Sequence, residues 1–143
     1  MELIKIDLKD KQLEIFNGLR DTIEKIEKIM REPIDSDQPD VVEKQLADRI
    51  VWLGYTSKIM EQATVIYDWA KGIAAVTCLS SVPGFEDLKM DLQRKIMEGM
   101  LARYSAMYVR AETVVKSLNN SIEGLRSVLS MEKQKMINEG MAT

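Results

Sequence analysis

Histidine is absent from the 143-residue chain, and cysteine occurs once, as Cys78. Without histidine the chain lacks the commonest general base, the catalytic triads that need one, and most zinc and di-iron sites. A lone cysteine cannot form an internal disulfide, and here it has no histidine to activate it as a nucleophile. The sequence therefore predicts a protein that is not an enzyme, with no catalytic residues, no metal site and no cofactor.

Proline and glycine are also scarce, with three and seven residues, which is too few for a loop-rich β fold. No run approaches 18 consecutive apolar residues, so we expect no membrane span and no membrane partner. The first residues, Met1 to Asp7, lack the apolar core of a signal peptide, and a single cysteine agrees with a reducing compartment. We expect a cytoplasmic protein.

Acidic side chains slightly outnumber basic ones, 23 to 20, which gives a net charge of −3. The imbalance is uneven: residues 1–40 carry 7 basic and 11 acidic side chains, whereas residues 86–143 carry 9 basic and 8 acidic. No region has the strongly basic composition that drives nonspecific binding of nucleic acid. A nucleic-acid role therefore depends on a local stripe of cations or on many copies in a ring.

The last third of the chain carries the strongest pattern. Residues 86–139 contain no proline, and apolar residues recur there in steps of four and three: Met97, Leu101, Tyr104, Tyr108, Ala111, Val115, Leu118, Ile122, Leu125 and Leu129. One helix over this range would be about 80 Å long at 1.5 Å per residue. A compact domain of this size cannot cover such a helix, so we expect self-association.

We call this row of apolar residues the seam. The predicted interface between copies is its C-terminal part, with the flanking residues: Leu118, Ile122, Leu125, Val128, Leu129 and Met136. Asparagine and glycine are poor helix-interior residues. Continuity of the helix through Asn119 to Gly124 is therefore left open by the sequence.

The rest of the pattern predicts a single all-α domain over 1–143, an extended antiparallel three-helix bundle or coiled coil with a very long C-terminal helix. The expected segments are an arm (1–9), helix 1 (10–31), a linker (32–40), helix 2 (41–76), a turn (77–85) and helix 3 (86–139). The arm alternates apolar and charged residues, which fits a strand that pairs with another chain or an irregular lead-in to helix 1. Helix 2 holds both tryptophans, which we interpret as core anchors rather than as platforms for nucleotide bases.

The polar face of helix 3 allows two interpretations. One is an ordinary solvated surface, because glutamates neutralise much of its charge. The other is a set of phosphate-binding side chains, which a ring of subunits would multiply. The candidate DNA-binding residues are Arg103, Arg110, Lys116, Arg126, Lys133 and Lys135.

Three stretches of the chain resemble small all-helical proteins encoded by bacteriophages and prophages, often among replication and recombination genes. They are Trp52-Leu53-Gly54-Tyr55, Tyr67-Asp68-Trp69-Ala70-Lys71 and Leu125-Arg126-Ser127-Val128-Leu129-Ser130-Met131-Glu132-Lys133. The similarity covers roughly residues 40–135. In length and helix layout the chain is distantly similar to the UvsY type of recombination mediator. Proteins of that type form ring-like oligomers, bind single-stranded DNA and help a recombinase replace the single-strand-binding protein.

The resemblance implies a non-enzymatic accessory protein of phage or prophage DNA recombination, acting as an oligomer in the cytoplasm of the bacterial host. Its implied partners are other copies of itself, single-stranded DNA, and a recombinase or single-strand-binding protein. The alternative is a helical protein-interaction module, an adaptor or an inhibitor of a host defence system, that binds no nucleic acid. A structural coiled coil of the virion is a third interpretation.

Overall fold

The computed structural model describes residues 6–34 and 37–141, and most of these residues are helical. The helices are α1 (Lys11–Met30), α2 (Pro39–Leu53), α3 (Thr56–Ser81) and α4 (Met90–Met141), with a short 3₁₀ turn at Phe85–Asp87. No strand occurs within the described ranges. The predicted all-α class is confirmed. Of the predicted arm, residues 1–5 lie outside the described residues, and residues 6–9 are non-helical.

Helix α1 differs by one residue at each end from the predicted range 10–31. Its apolar stripe has the expected spacing, and Phe16, Leu19, Ile23 and Ile26 are all buried. An amphipathic stripe of this kind forms a helix mainly because tertiary packing covers it.

The single helix predicted over 41–76 is two helices, because the chain turns at Gly54 and Tyr55. Their amide groups donate to Val51 O (3.3 Å) and Trp52 O (2.9 Å), a tighter turn than the α-helix makes. Thr56 then donates its hydroxyl to Leu53 O at 2.8 Å and satisfies a third carbonyl at the end of α2. Glycine is the poorest non-proline helix former, which locates the break at this position.

The connection before α4 is also shifted from the predicted turn over 77–85. Helix α3 continues to Ser81, and Gly84 then adopts the left-handed conformation (φ 71°), which glycine enters without a Cβ penalty. The Gln93 side chain donates to Phe85 O at 2.8 Å and to Leu88 O at 3.2 Å. These bonds fix the 3₁₀ turn against the first turn of α4, so the long helix begins at Met90 rather than at residue 86.

Helix α4 is continuous through the Asn119–Gly124 segment. The Asn119 amide donates back to Val115 O at 3.2 Å, so its side chain is satisfied within the helix. A Cβ at Gly124 would meet open space, so this glycine makes no close backbone contact that would mark a kink. At two places the buried residue is the neighbour of the predicted seam residue: Met107 and Val114 are buried, whereas Tyr108 and Val115 are half-buried. Both residues of each pair are apolar, so spacing alone does not choose between them. Met97 and Leu129, at the two ends of the predicted seam, are also half-buried.

The described residues form two compact units. The first unit comprises Met1–Asp21 and Lys58–Glu112, and the second comprises Thr22–Ser57 and Thr113–Thr143. In the first unit, aromatic contacts join the helices: Phe16 to Tyr104, with ring centroids 5.6 Å apart, and Tyr67 to Tyr108, 5.8 Å apart. In the second unit, Ile23, Ile26, Val42, Leu118 and Leu125 are buried.

Candidate nucleic-acid interface

Three arginines line one cavity of about 230 Å³ in the first unit. We call this site the arginine cleft; it is lined by Phe16, Arg20, Arg103, Ala106, Met107 and Arg110. Arg103 is exposed, whereas Arg20 and Arg110 are half-buried. The cleft therefore presents three guanidinium groups, each with donors in a fixed fork, next to an apolar wall.

Helix geometry accounts for how these side chains meet. Arg103 and Arg110 are seven residues apart on α4, about two turns, so they lie on the same face. Arg20 follows Phe16 by one turn of α1, next to the stripe that packs in the core. Ala106 lies between the two arginines of α4, and its small side chain leaves the space that forms the cleft.

The cleft wall is held in place by a series of contacts that reaches the N-terminal segment. The guanidinium carbon of Arg103 lies 4.9 Å from the ring centroid of Phe16, and Phe16 meets Tyr104 edge-on. The Tyr104 hydroxyl donates to Ile6 O at 2.6 Å. Burial raises the pKa of Tyr104, the positive charge of Arg103 opposes this shift, and the carboxylate of Asp7 adds to it. The phenol therefore stays protonated and keeps its hydrogen bond at neutral pH.

Arg20, Arg103 and Arg110 bring three positive charges to the arginine cleft. Arg20 pairs with Asp21 at 3.9 Å, but this pair is long and exposed, so it contributes little. Guanidinium groups bind phosphate through paired N–H donors, and a cavity of this size suits one or two phosphate groups rather than a large metabolite. The arrangement can therefore hold a phosphate group through paired hydrogen bonds.

Cys78 has the properties of a structural cysteine. It is fully buried, its Sγ lies 3.4 Å from Met100 Sδ, and burial raises the pKa of its thiol. A high thiol pKa lowers the thiolate fraction that nucleophilic chemistry requires. Within residues 6–34 and 37–141, no group of three or more cysteine, aspartate or glutamate side chains is arranged to hold a metal ion.

The structure brings together only two of the six predicted DNA-binding residues, Arg103 and Arg110. The other four, Lys116, Arg126, Lys133 and Lys135, are exposed on the part of α4 that belongs to the second unit. Among these, Arg126 and Lys133 share a face, two turns apart, whereas Lys116 and Lys135 point in other directions. The four therefore do not form a single stripe.

Arg20 was missed by sequence reasoning. Its spacing from Phe16 identifies it as a neighbour of the α1 core stripe, but that spacing does not reveal which helix it faces. Only the packing of α1 against α4 brings it to the same cavity as Arg103 and Arg110.

The predicted oligomer interface needs a correction. Leu118, Ile122 and Leu125 are 0%, 3% and 0% exposed within the single chain, so they offer no surface to a partner. Val128 and Leu129 are half-buried, and Met136 is 63% exposed. The chain's own helices cover the seam from Leu118 to Leu125, and beyond Leu125 the seam residues are half-buried or exposed.

The second unit also buries an arginine that the sequence did not single out. Arg49 is 1% exposed and makes three hydrogen bonds: from Nε to Ser121 Oγ (2.8 Å), and from its two Nη atoms to the carbonyls of Gln45 and Ile29 (both 3.1 Å). Ile29 is in the last turn of α1, where the helix dipole is negative, so its carbonyl is a good acceptor for a cation. Arg49 thereby joins α1, α2 and α4 in this unit.

Comparison of the chain with protein families, with curated proteins and with solved structures gives no match. None of the described helices is long and apolar enough to cross a membrane.

Proposed function

We propose that this protein is a non-enzymatic accessory factor of phage or prophage DNA recombination that binds the backbone of single-stranded DNA. The observation that carries the proposal is the arginine cleft, in which Arg20, Arg103 and Arg110 line one small cavity. A net charge of −3 does not conflict with this function, because the cations are concentrated locally. The sequence resemblance to phage recombination proteins is the reason for choosing DNA over other phosphate-bearing ligands.

The proposal includes assembly of several copies in the bacterial cytoplasm, as extended antiparallel helical subunits. Support comes from the end of α4, where Met136 and Ile137 are 63% and 53% exposed. In an oligomer, copies of the cleft would act on one strand, and multivalency would strengthen a weak individual site. A recombinase or a single-strand-binding protein is the partner that this role requires.

The test is binding of labelled oligo-dT by fluorescence anisotropy at several salt concentrations. For single strands, log K falls with log salt by about 0.7 per neutralised phosphate, so three cleft contacts predict a slope near −2 per subunit. The variant Arg20→Gln, Arg103→Gln, Arg110→Gln should bind much more weakly and with little salt dependence.

A matched control removes the same charge elsewhere. The variant Arg126→Gln, Lys133→Gln, Lys135→Gln changes three exposed cations and should keep most of the affinity. Equal loss in the two triple variants would mean that overall charge, not the cleft, governs binding. Absence of binding at low salt would rule out the DNA function itself.

A protein-interaction module is the second candidate, favoured by the exposed methionines near the end of α4. Methionine is common on surfaces that adapt to several partners. This candidate predicts no affinity for oligo-dT and a stable complex with one host or phage protein.

A further inference from the structure

A second cavity, of about 460 Å³, lies in the first unit between the N-terminal half of α1 and α3. We call it the α1–α3 groove. Its apolar surface is formed by Ile15, Val65 and Trp69, all half-buried. Its volume is in the range of sites for one small ligand, and it is too small to seat a partner helix over several turns.

Polar groups surround this apolar surface. The amides of Gln12 and Gln62 line the groove, and each amide carries both donors and an acceptor. Lys11, Lys58 and Glu61 are exposed at its edge, which leaves one net positive charge there. An aromatic ring, two amides and a positive edge complement a nucleobase with its adjoining phosphate.

The other aromatic rings of the first unit are occupied. Phe16, Tyr104 and Phe85 are buried, with 2%, 4% and 8% exposed. Tyr67 and Tyr108 contact each other, and Lys71 lies over the Tyr67 ring at 4.8 Å. Trp69 is therefore the aromatic side chain of the described part of this unit that is placed to stack on a ligand.

We propose that the α1–α3 groove binds one base of single-stranded DNA, stacked on Trp69 and hydrogen-bonded by Gln12 and Gln62. This inference rests on the proposed function, because the arginine cleft would hold the backbone of the same strand. Ile15 lines the groove and the next residue, Phe16, lines the cleft, so the two sites lie on two sides of one segment of α1. Amides donate and accept, so the site tolerates any base.

The experiment uses the fluorescence of Trp69 in the full chain. Trp52→Phe removes the other tryptophan, and the protein is titrated with oligo-dT and with an abasic oligonucleotide of the same length and charge. Oligo-dT should quench Trp69 on stacking, and the abasic strand should bind through its phosphates without quenching. The Trp69→Phe protein, which retains Trp52, should show no quenching with either strand.

Affinity provides a second measurement. Trp69→Leu should weaken binding of oligo-dT about fivefold or more, because stacking of a base on an aromatic ring contributes roughly 1–3 kcal/mol. It should leave binding of the abasic strand unchanged, which a misfolded variant would not do. Trp52→Leu is the matched control and should change the affinity for neither strand.

The outcomes separate the two proposals. If both strands bind but oligo-dT leaves Trp69 unquenched, the base site is wrong, the groove serves a protein partner or nothing, and the backbone-binding function stands. If neither strand binds at low salt, the proposed function fails and the base site fails with it.

Discussion

Arg103 lies over the ring of Phe16, with its guanidinium carbon 4.9 Å from the ring centroid. This contact fixes the orientation of a side chain that would otherwise sample many rotamers at an exposed position. A guanidinium stacked on an aromatic ring keeps its edge free to donate hydrogen bonds. Arg103 is therefore preorganised for an anion in the arginine cleft.

Arg103→Lys separates charge from stacking. Lysine keeps the positive charge but cannot stack as a planar group or donate a fixed pair of hydrogen bonds. We expect oligo-dT to bind about two- to fivefold more weakly, from the loss of the planar stack and of the paired donors, with an unchanged salt slope. Arg103→Gln should instead reduce the slope by about 0.7.

Lys89→Gln is the control for these two variants, since Lys89 is an exposed cation outside the cleft. Its salt slope should match that of the parent protein. A slope equally reduced by Lys89→Gln would show that Arg103 has no special position.

Tyr104 provides a test of the wall behind the cleft. Tyr104→Phe removes the 2.6 Å hydrogen bond to Ile6 O and leaves a buried carbonyl with one partner fewer. The free energy of unfolding should fall by about 1 kcal/mol in urea denaturation at neutral pH. Tyr55→Phe, at a tyrosine that is 49% exposed, should have little effect.

We also expect the stability that the Tyr104 hydroxyl contributes to depend on pH. Burial raises the pKa of Tyr104 in the folded protein, so above about pH 10, the usual tyrosine value, the native state holds this proton more tightly than the unfolded state. This stabilisation is complete below pH 10 and is lost as the pH rises through the folded pKa. The difference in unfolding free energy between the parent and Tyr104→Phe should therefore shrink at alkaline pH. Cys78 is present in both proteins, so any effect of its titration cancels in this comparison. A difference in unfolding free energy that stays constant up to pH 11 would contradict the prediction.

The helices could be predicted where one local pattern determines them. The bounds of α1 follow from its a/d stripe, and the course of α4 follows from a range without proline. The break at Gly54 was missed because the apolar spacing on either side of it suggested one helix. That break depends on two consecutive tight turns and on the Thr56 hydroxyl, which periodicity does not reveal.

Only part of the arginine cleft could be predicted from the sequence. Arg103 and Arg110 share a face because of their spacing on one helix, and that spacing is visible in the sequence. Arg20 joins them through packing between helices that are far apart along the chain. Trp69 was interpreted as a core anchor, yet the structure leaves it half-buried, and it lines a groove together with residues of α1.

Arg49 is a clearer example of a contact that the sequence does not reveal. The spacing of apolar residues along the sequence does not mark it as buried. Its acceptor Ser121 is 72 residues away, so only the tertiary fold reveals that it is buried. We expect Ser121→Ala to lower the free energy of unfolding by about 1–3 kcal/mol, because the Nε–H of a buried guanidinium loses its acceptor.

Ser130→Ala is the matched control, since Ser130 is an exposed serine on the same helix. It should leave stability unchanged or raise it slightly, because alanine is the better helix former. Equal unfolding free energies for the two variants would mean that Arg49 contributes no net stability through Ser121.

Self-association is expected to depend on the seam beyond Leu125 and not on apolar exposure in general. Met136 continues the spacing of Leu125 and Leu129, whereas Met131 is on another face of α4 and is even more exposed, 73% against 63%. Met136→Glu would place a carboxylate one turn from Glu132 on that seam. Like charge and the cost of burying an unpaired carboxylate should raise the dissociation constant of the oligomer roughly tenfold or more.

Light scattering over a range of protein concentrations measures this effect. The parent should exceed the mass of one chain, Met136→Glu should approach that mass on dilution, and Met131→Glu should behave like the parent. Both variants add one negative charge near the same end of α4. A difference in their oligomeric mass therefore shows which face of the helix forms the interface, and is not an effect of the added charge. A parent protein that has the mass of one chain at every concentration would contradict the proposed assembly, and the arginine cleft would then have to bind DNA without help from multivalency.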